Sequence, residues 1–269
     1  MKPPETSPWP EKIALLESIL RAHAPLLVAY SGGVDSACLL AAAHRALGDQ
    51  AVGVIADSPS LPRRALQEAL AVAAGFGAQV EVVATQEFAD DRYLVNPPNR
   101  CYFCKAELFS RMDAIAKARN FAAIAYGENA DDPAHARPGS QAAAEFAVLA
   151  PLKEAGLTKA DVREISRAWG LPTADAPAQP CLSSRIPHGT PVTREALALV
   201  ERGEEFVRSL GFRVFRVRYV DGEAAGARVQ IAPAEMPALD GQREVLQDGL
   251  RRAGFGFVEI DPQGYRSAM

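Results

Sequence analysis

The chain has 269 residues, 48% of them hydrophobic, enough to bury one large core or two modest ones. A formal net charge of −4 provides no global pull toward nucleic acid, so a nucleic-acid partner is disfavoured, although a local basic strip is compatible with it. No run approaches the ~18 apolar residues that cross a bilayer, and the N-terminal stretch holds no apolar segment of signal-peptide length, so no membrane partner and a cytoplasmic location are expected.

Glu11–His23 carries Ile13, Leu15, Leu16, Ile19 and Leu20 at helical spacing and leads into a strand at Leu26–Tyr30. Next comes Ser31-Gly32-Gly33-Val34-Asp35-Ser36, followed by the Ala/Leu-rich helix Ala37–Leu47. Two adjacent glycines let backbone N–H groups approach an anion and adopt unusual dihedrals. Two serines add hydroxyls, and the helix points its positive end at the same spot. The order strand, glycine turn, helix predicts a phosphate cradle in which a β-branched residue at Gly33 would not be tolerated. It is not the common P-loop, because no Gly-Lys-Ser/Thr follows and nothing in the turn supplies a lysine.

Ala51–Ala56 is a β-branched run ending at Asp57-Ser58-Pro59. Pro62–Ala74 reads as a helix with proline in its first turn, Gln79–Ala84 as a strand, about Lys105–Arg119 as a helix and Phe121–Tyr126 as a strand. This alternation predicts the α/β class, a parallel doubly wound sheet occupying residues 1–186. Ligands of such sheets gather at the carboxyl ends of the strands, so Ser31–Ser36, Asp57-Ser58 and Gly127–Asp132 are expected to face a common crevice.

Thr158–Trp169 follows as a helix with Thr158 as N-cap and Asp161 in its first turn, ended by Gly170-Leu171-Pro172. The proline-rich stretch Ala174–Pro191 reads as a connection, yet it holds Pro180-Cys181-Leu182-Ser183-Ser184-Arg185, which is odd for a mere linker. Thereafter the order is helix (Thr193–Leu210), strand (Arg213–Val220), strand (Arg228–Ile231), helix (about Asp240–Ala253) and strand (Gly256–Ile260). That predicts a smaller α+β domain over 187–269 for substrate binding or oligomerisation. Arg216 and Arg218 fall on one face of their strand. Two guanidinium groups so placed make a phosphate clamp or, more plainly, a solvated basic face.

The chain has four cysteines. Cys38 lies inside the apolar helix after the glycine turn and is expected to be a small core residue. Cys101-Tyr102-Phe103-Cys104 is a C-x-x-C pair, and with Cys181 it allows three readings. A three-cysteine iron–sulfur site is preferred, because three thiolates leave one iron open for chemistry. The others are a zinc site completed by His135 or His188, and a plain thiol arrangement with Cys181 as nucleophile.

Taken in order, several motifs together resemble the LarE family from about residue 10 onward. They are Ser31–Ser36, Ala56-Asp57-Ser58-Pro59 with Leu61-Pro62-Arg63-Arg64, Asn99-Arg100-Cys101-Tyr102-Phe103-Cys104-Lys105, Gly127-Glu128-Asn129-Ala130-Asp131-Asp132, Arg137-Pro138-Gly139, Pro180–Arg185 and Gly264-Tyr265-Arg266-Ser267. S-G-G-x-D-S is itself similar to the PP-loop of the ATP pyrophosphatases. The resemblance implies a PP-loop, adenine nucleotide alpha hydrolase-like fold and an ATP-dependent sulfur transferase that releases AMP and pyrophosphate. Its substrate would be pyridinium-3,5-biscarboxylic acid mononucleotide, converted to a thiocarboxylate on the way to the nickel-pincer cofactor of lactate racemase.

The resemblance also implies roles. Ser31, Gly32, Gly33, Asp35 and Ser36 would hold the phosphates of ATP with Mg²⁺, Asp57 and Ser58 the adenosine edge, and Gly127 and Asn129 the neighbourhood of the α-phosphate. Arg216 and Arg218 would bind the substrate's phosphate, and Arg185 is a further cofactor-binding candidate. Family members with only the cysteine matching Cys181 sacrifice its sulfur, whereas those with the added pair resemble [4Fe-4S] sulfide insertases. With Cys101, Cys104 and Cys181 all present, the resemblance implies the second type, with sulfide or a sulfur donor as partner and a homo-oligomeric assembly. Asp35 and Asp131 are candidates for a general base, although acids beside phosphates suit magnesium better. Alternatives are sacrificial donation from Cys181, tRNA thiolation, an ammonia-dependent PP-loop amide ligase and a nucleotide-sensing binding protein. One departure stands out: relatives with a metal-binding acid cluster carry a glutamate where this chain has Gln230, which argues against a divalent-metal site there even if Glu204 matches another member of that cluster. The neighbouring Asp221–Gly226 is also longer than usual.

Overall fold

The computed structural model describes residues 9–133 and 138–265. His135, Arg137, Arg266 and Ser267, named above, lie outside the described residues. The chain divides into two compact units, one taking Met1–Ser58, Arg63–Ala89 and Asn99–Ala176, the other Pro59–Pro62, Asp90–Pro98 and Pro177–Met269, each through its described residues.

The first unit runs α1 (Trp9–Ala22), β1 (Leu26–Ala29), α2 (Val34–Leu47), β2 (Ala51–Asp57), α3 (Arg63–Gly75) and β3 (Gln79–Ala84). The short α4 (Asp91–Leu94) belongs to the other unit, and the first resumes with α5 (Arg100–Arg119), β4 (Ala123–Tyr126), α6 (Pro138–Glu145), α7 (Pro151–Glu154) and α8 (Lys159–Ala168). The four strands form a wholly parallel sheet in the order β3-β2-β1-β4, with Leu26 opposite both Ala51 and Ala123. Leu26, Leu27 and Val28 of β1 are fully buried, as the continuous apolar sequence of a central parallel strand requires. The chain steps outward from β1 through β2 to β3 and then returns to the far side of β1 as β4. The order therefore reverses between β1 and β4, and such a switch point opens a crevice at the carboxyl ends of the strands. Ser31–Ser36 and Gly127–Asp132 follow those two strands.

Helix α5 starts at Arg100, earlier than the expected Lys105. Cys-Tyr-Phe are indifferent helix formers, but Arg100, Phe109 and Met112 are buried, and packing of that face overrides local preference. The C-x-x-C pair therefore sits in the first two turns, its cysteines three residues apart on one side of the helix. Thr158 caps α8 as expected: Asp161 N–H donates to its hydroxyl oxygen (3.2 Å) while the Asp161 carboxylate accepts from Thr158 N–H (3.0 Å), a reciprocal capping box.

The second unit contains α4, α9 (Arg194–Ser209), β5 (Phe215–Val220), β6 (Gly226–Ile231), α10 (Arg243–Ala253) and β7 (Phe257–Ile260). Its sheet is mixed, β5 antiparallel to β6 and β6 parallel to β7, and covers a core that includes Val207, Val217, Val229, Leu246 and Leu250. Segments 59–62 and 90–98 join it through long-range polar bonds. The hydroxyls of Ser60, Tyr93 and Ser183 meet at 2.6–2.8 Å. Fully buried Asn96 donates its amide to the carbonyls of Pro187 (2.7 Å) and Thr190 (2.9 Å).

Candidate functional site

In the first unit the glycine turn is pinned by its own serines. The Ser36 hydroxyl donates to Gly33 O (3.0 Å) and accepts from Ser31 N–H (3.2 Å), and it lies 3.1 Å from the Ser31 hydroxyl. Gly32 has φ +77°, and a side chain there would place its Cβ 2.7 Å from Ala69 Cβ. Gly33, the N-cap of α2, has an ordinary extended backbone (φ −73°, ψ 162°), and its nearest obstacle is Ser31 Oγ at 3.5 Å. The unusual dihedral expected at Gly33 is therefore at Gly32. The first-turn amides of α2 have no intrahelical acceptor and remain available to an anion.

The loop after β4 closes on this turn. A Cβ at Gly127 would lie 2.7 Å from Ser36 N and 2.9 Å from the Asp35 carbonyl carbon, so only glycine allows the two backbones to approach this closely. Asn129, 3% exposed, donates to Asp35 Oδ1 (3.3 Å), and its own Oδ1 accepts from Asp131 N–H (3.0 Å). Ala130 N–H donates to Leu157 O (2.7 Å) and Lys159 N–H to Asp131 Oδ2 (2.8 Å), which ties the loop to the start of α8. At the end of β2, Asp57 is paired with Arg63 (2.6 Å), whose other terminal nitrogen donates to Ser58 O (2.9 Å).

Two groups in this unit were missed from sequence. Lys159 Nζ lies 2.5 Å from Asp35 Oδ2, so a lysine arrives at the glycine turn from 124 residues away. Its only sequence signal was its place after an N-cap threonine, and nothing in spacing reveals where its side chain reaches. The other is a buried set around Glu128, which accepts from the Tyr126 hydroxyl and from Ser140 (2.6 Å), with Lys153 at 3.4 Å. Lys105, next after Cys104, has its ammonium 4.8 Å from the centre of the Tyr126 ring. Burial pushes its pKa down from the usual lysine value, while Glu128 and the Cys101 sulfur pull it up.

Cys101 is exposed and Cys104 partly so, whereas Cys38 is fully buried, its thiol pushed up to about 12 by burial. Cys181, in the second unit, is also partly accessible. The three accessible cysteines are of the donor type a thiolate-bound cluster takes, but among the described residues no three His, Cys, Asp or Glu side chains are gathered for a metal ion. His188 is exposed in its loop.

In the second unit, Arg185 is 4% exposed, held by Glu204 through both carboxylate oxygens (2.8 and 3.1 Å) and donating to the carbonyls of Pro180 (2.5 Å) and Cys181 (3.1 Å). Glu204 also accepts from Val217 N–H (3.2 Å). Arg216 is spent similarly: it donates to Phe215 O and Ala178 O and lies 4.5 Å from the Tyr265 ring centre. Burial lowers its pKa from the usual arginine value. Arg218 donates to Ser184 O (3.2 Å) and to Gln230 (2.6 Å) and lines a cavity of about 260 Å³ with Arg185 and Arg228.

A serine- and glycine-built turn between the first strand of a parallel sheet and its helix, at the point where strand order reverses, makes this an α/β protein whose arrangement is consistent with the PP-loop fold. No family model matches the chain. It is 42% identical over 243 residues to an uncharacterized protein of Synechocystis sp., with 90% of each chain covered. To the pyridinium-3,5-bisthiocarboxylic acid mononucleotide synthase of Lactiplantibacillus plantarum it is 32% identical over 257 residues, 95% of this chain and 92% of that one. Identity to the glutamine-hydrolyzing GMP synthase of Thermomicrobium roseum is 32% over 211 residues, 68% of this chain and 39% of that protein. The chain belongs to the LarE family, that of the mononucleotide synthase. Among the described residues no helix is long and apolar enough to cross a membrane.

Proposed function

We propose that this protein is an ATP-dependent sulfur transferase that converts a carboxylate of pyridinium-3,5-biscarboxylic acid mononucleotide into a thiocarboxylate. The observation that carries the reading is the 32% identity to the synthase along 95% of the chain, together with the close backbone approach of Gly127 to the first turn of α2. In this reading a carboxylate oxygen of the substrate attacks the α-phosphorus of ATP and the bond to the β-phosphate breaks. The N–H groups of the Ser31–Ser36 turn stabilise the departing pyrophosphate. Sulfide then attacks the activated carbonyl carbon, AMP leaves, and the thiocarboxylate remains. Asp57 and Ser58 hold the adenosine edge, Asn129 orients Asp35, and Asp35 and Asp131 are the carboxylates suited to a magnesium ion accompanying the phosphates. Arg218 holds the substrate's phosphate, while Arg216, on the same strand face, is held by the carbonyls of Phe215 and Ala178. Arg185, with its N–H groups turned to Glu204 and to the carbonyls of Pro180 and Cys181, fixes the Cys181 segment.

Cys101, Cys104 and Cys181 are the ligands we assign to a [4Fe-4S] cluster, which when bound supplies the sulfide. The first unit is the nucleotide-binding part and the second, which takes the chain from Pro177 onward, the substrate-binding and assembly part of a cytoplasmic homo-oligomer. The test is pyrophosphate and AMP release from ATP by anaerobically purified protein, with iron analysis, across a panel of acids. Release dependent on the pyridinium dicarboxylate mononucleotide, with iron bound, is the expected result. Release with ammonia and xanthosine monophosphate instead would make the chain an amide ligase, and a colourless protein with stoichiometric zinc would remove the cluster.

A further inference from the structure

Three arginines line the cavity of about 260 Å³ in the second unit, and they differ in what stands against them. Arg185 is neutralised by Glu204 at 2.8 Å and Arg228 by Glu259 at 3.1 Å. Arg218 has no carboxylate in ion-pair contact among the described residues. Its Nε donates at 2.6 Å to the amide oxygen of Gln230, two residues from Arg228 on β6. The amide nitrogen of Gln230 in turn donates at 2.8 Å to Asp261 Oδ2, beyond the end of β7. Arg218 Nε can only donate and the Asp261 carboxylate can only accept, so the chain of bonds needs a group that accepts on one side and donates on the other. An amide does both; a carboxylate would pair with Arg218, cancel its charge and face Asp261 with no hydrogen to offer.

From this arrangement we infer that Gln230 is a positioning residue that fixes the Arg218 guanidinium while leaving its charge uncancelled, so that Arg218 is the cationic centre of the cavity and takes a phosphate monoester. The inference rests on the proposed role of Arg218 and deepens it. Of the two arginines on the β5 face, Arg218 rather than Arg216 carries the anion, because Arg216 is committed to Phe215 O, Ala178 O and the Tyr265 ring. The terminal Nη2 of Arg218 has no hydrogen-bond acceptor among the described residues and is left for the ligand. Asp221 also lines the cavity, so the phosphate is expected to sit on the Arg218 side.

The experiment titrates the whole protein with nicotinate mononucleotide, a pyridinium monophosphate, and separately with ATP, by calorimetry. The proteins are the parent chain, Arg218→Ala, Gln230→Glu, Gln230→Met and the double variant Gln230→Glu/Asp261→Asn. Arg218→Ala and Gln230→Glu are each expected to weaken the mononucleotide about tenfold or more, the loss of one charge-assisted contact. Gln230→Met, equal in bulk and neutral, should lose only about threefold. The double variant, relieved of the clash of two carboxylates, should regain melting temperature but not affinity, a split that a purely structural role would not produce. ATP affinity should be unchanged throughout. Parent-like mononucleotide affinity in Gln230→Glu, equal losses in Gln230→Glu and Gln230→Met, or recovery of affinity in the double variant would each overturn the inference while leaving the clamp intact. Parent-like affinity in Arg218→Ala, or no binding to the parent chain, would instead remove the clamp on which it rests.

Discussion

Replacing Gly127 with alanine puts one methyl group where the structure has none to spare. The added Cβ would stand 2.7 Å from Ser36 N, 2.9 Å from the Asp35 carbonyl carbon and 3.0 Å from Ser36 Cα, all backbone atoms that no rotamer change can move. Ordinary contact begins near 3.4 Å, so the first turn of α2 must retreat by roughly 0.7 Å. Overpacking of this kind costs about 1–3 kcal/mol of stability. The displacement also carries the Ser36 amide away from the anion. Halving one charge-assisted bond of about 3 kcal/mol loses about 1.5 kcal/mol, or a little over tenfold in affinity. ATP binding by calorimetry should therefore weaken about tenfold in Gly127→Ala, with a lower melting temperature. Gly75→Ala at the end of α3, where a Cβ meets nothing within 4 Å, should change neither for the worse. Parent-like ATP affinity in Gly127→Ala would refute the argument that the loop after β4 shapes the cradle.

Lys159→Met should weaken ATP about tenfold or more and leave AMP binding unchanged, because its ammonium, released from Asp35, has the leaving pyrophosphate to meet and AMP has none; equal losses for both nucleotides would make it a structural pair. Iodoacetamide at pH 8 should label Cys101, Cys104 and Cys181 in metal-free protein and spare Cys38, which is buried with its thiol raised to about 12; mass mapping of the peptides checks this. The amide hydrogen of Gln230, then the N–H of Gln263, holds the Asp261 carboxyl below the usual carboxylate range. A depressed carboxyl adds stability above its unfolded value that is lost as pH falls through the folded one, so acid should destabilise the parent more than Asp261→Asn, as read from melting temperatures between pH 6 and about 3.

Much of the fold was legible because its signals are local. The periodicity of Leu15, Leu16, Ile19 and Leu20, the β-branched run of β2 and the Thr158 cap each announce an element without help from distant residues. The parallel sheet followed from alternation alone. The start of α5 was not legible, because burial of Arg100 and Phe109 is a tertiary event. Nor were the ties of Ser60, Tyr93 and Asn96 to the second unit, which join segments about ninety residues apart or more. In the candidate site, the glycine turn and the arginine pair could be read from residue type and spacing. The partners that decide their chemistry could not: Lys159 on Asp35, Glu204 on Arg185 and Gln230 between Arg218 and Asp261 depend on where side chains end, which one-dimensional spacing does not encode. Gly32 and Gly33 are alike in sequence, and only the backbone reveals that the positive φ falls on the first.

In the proposed reaction ATP drives exchange of oxygen for sulfur in the mononucleotide while the protein keeps its cysteines. The most direct measurement is mass spectrometry of an anaerobic reaction of the iron-loaded protein with ATP, sulfide and pyridinium-3,5-biscarboxylic acid mononucleotide, reading product and intact chain together. One AMP per sulfur inserted, more than one sulfur per chain and an unchanged protein mass are expected. A single sulfur per chain with dehydroalanine at Cys181, or AMP formed with no sulfur in the mononucleotide, would contradict the proposed reaction.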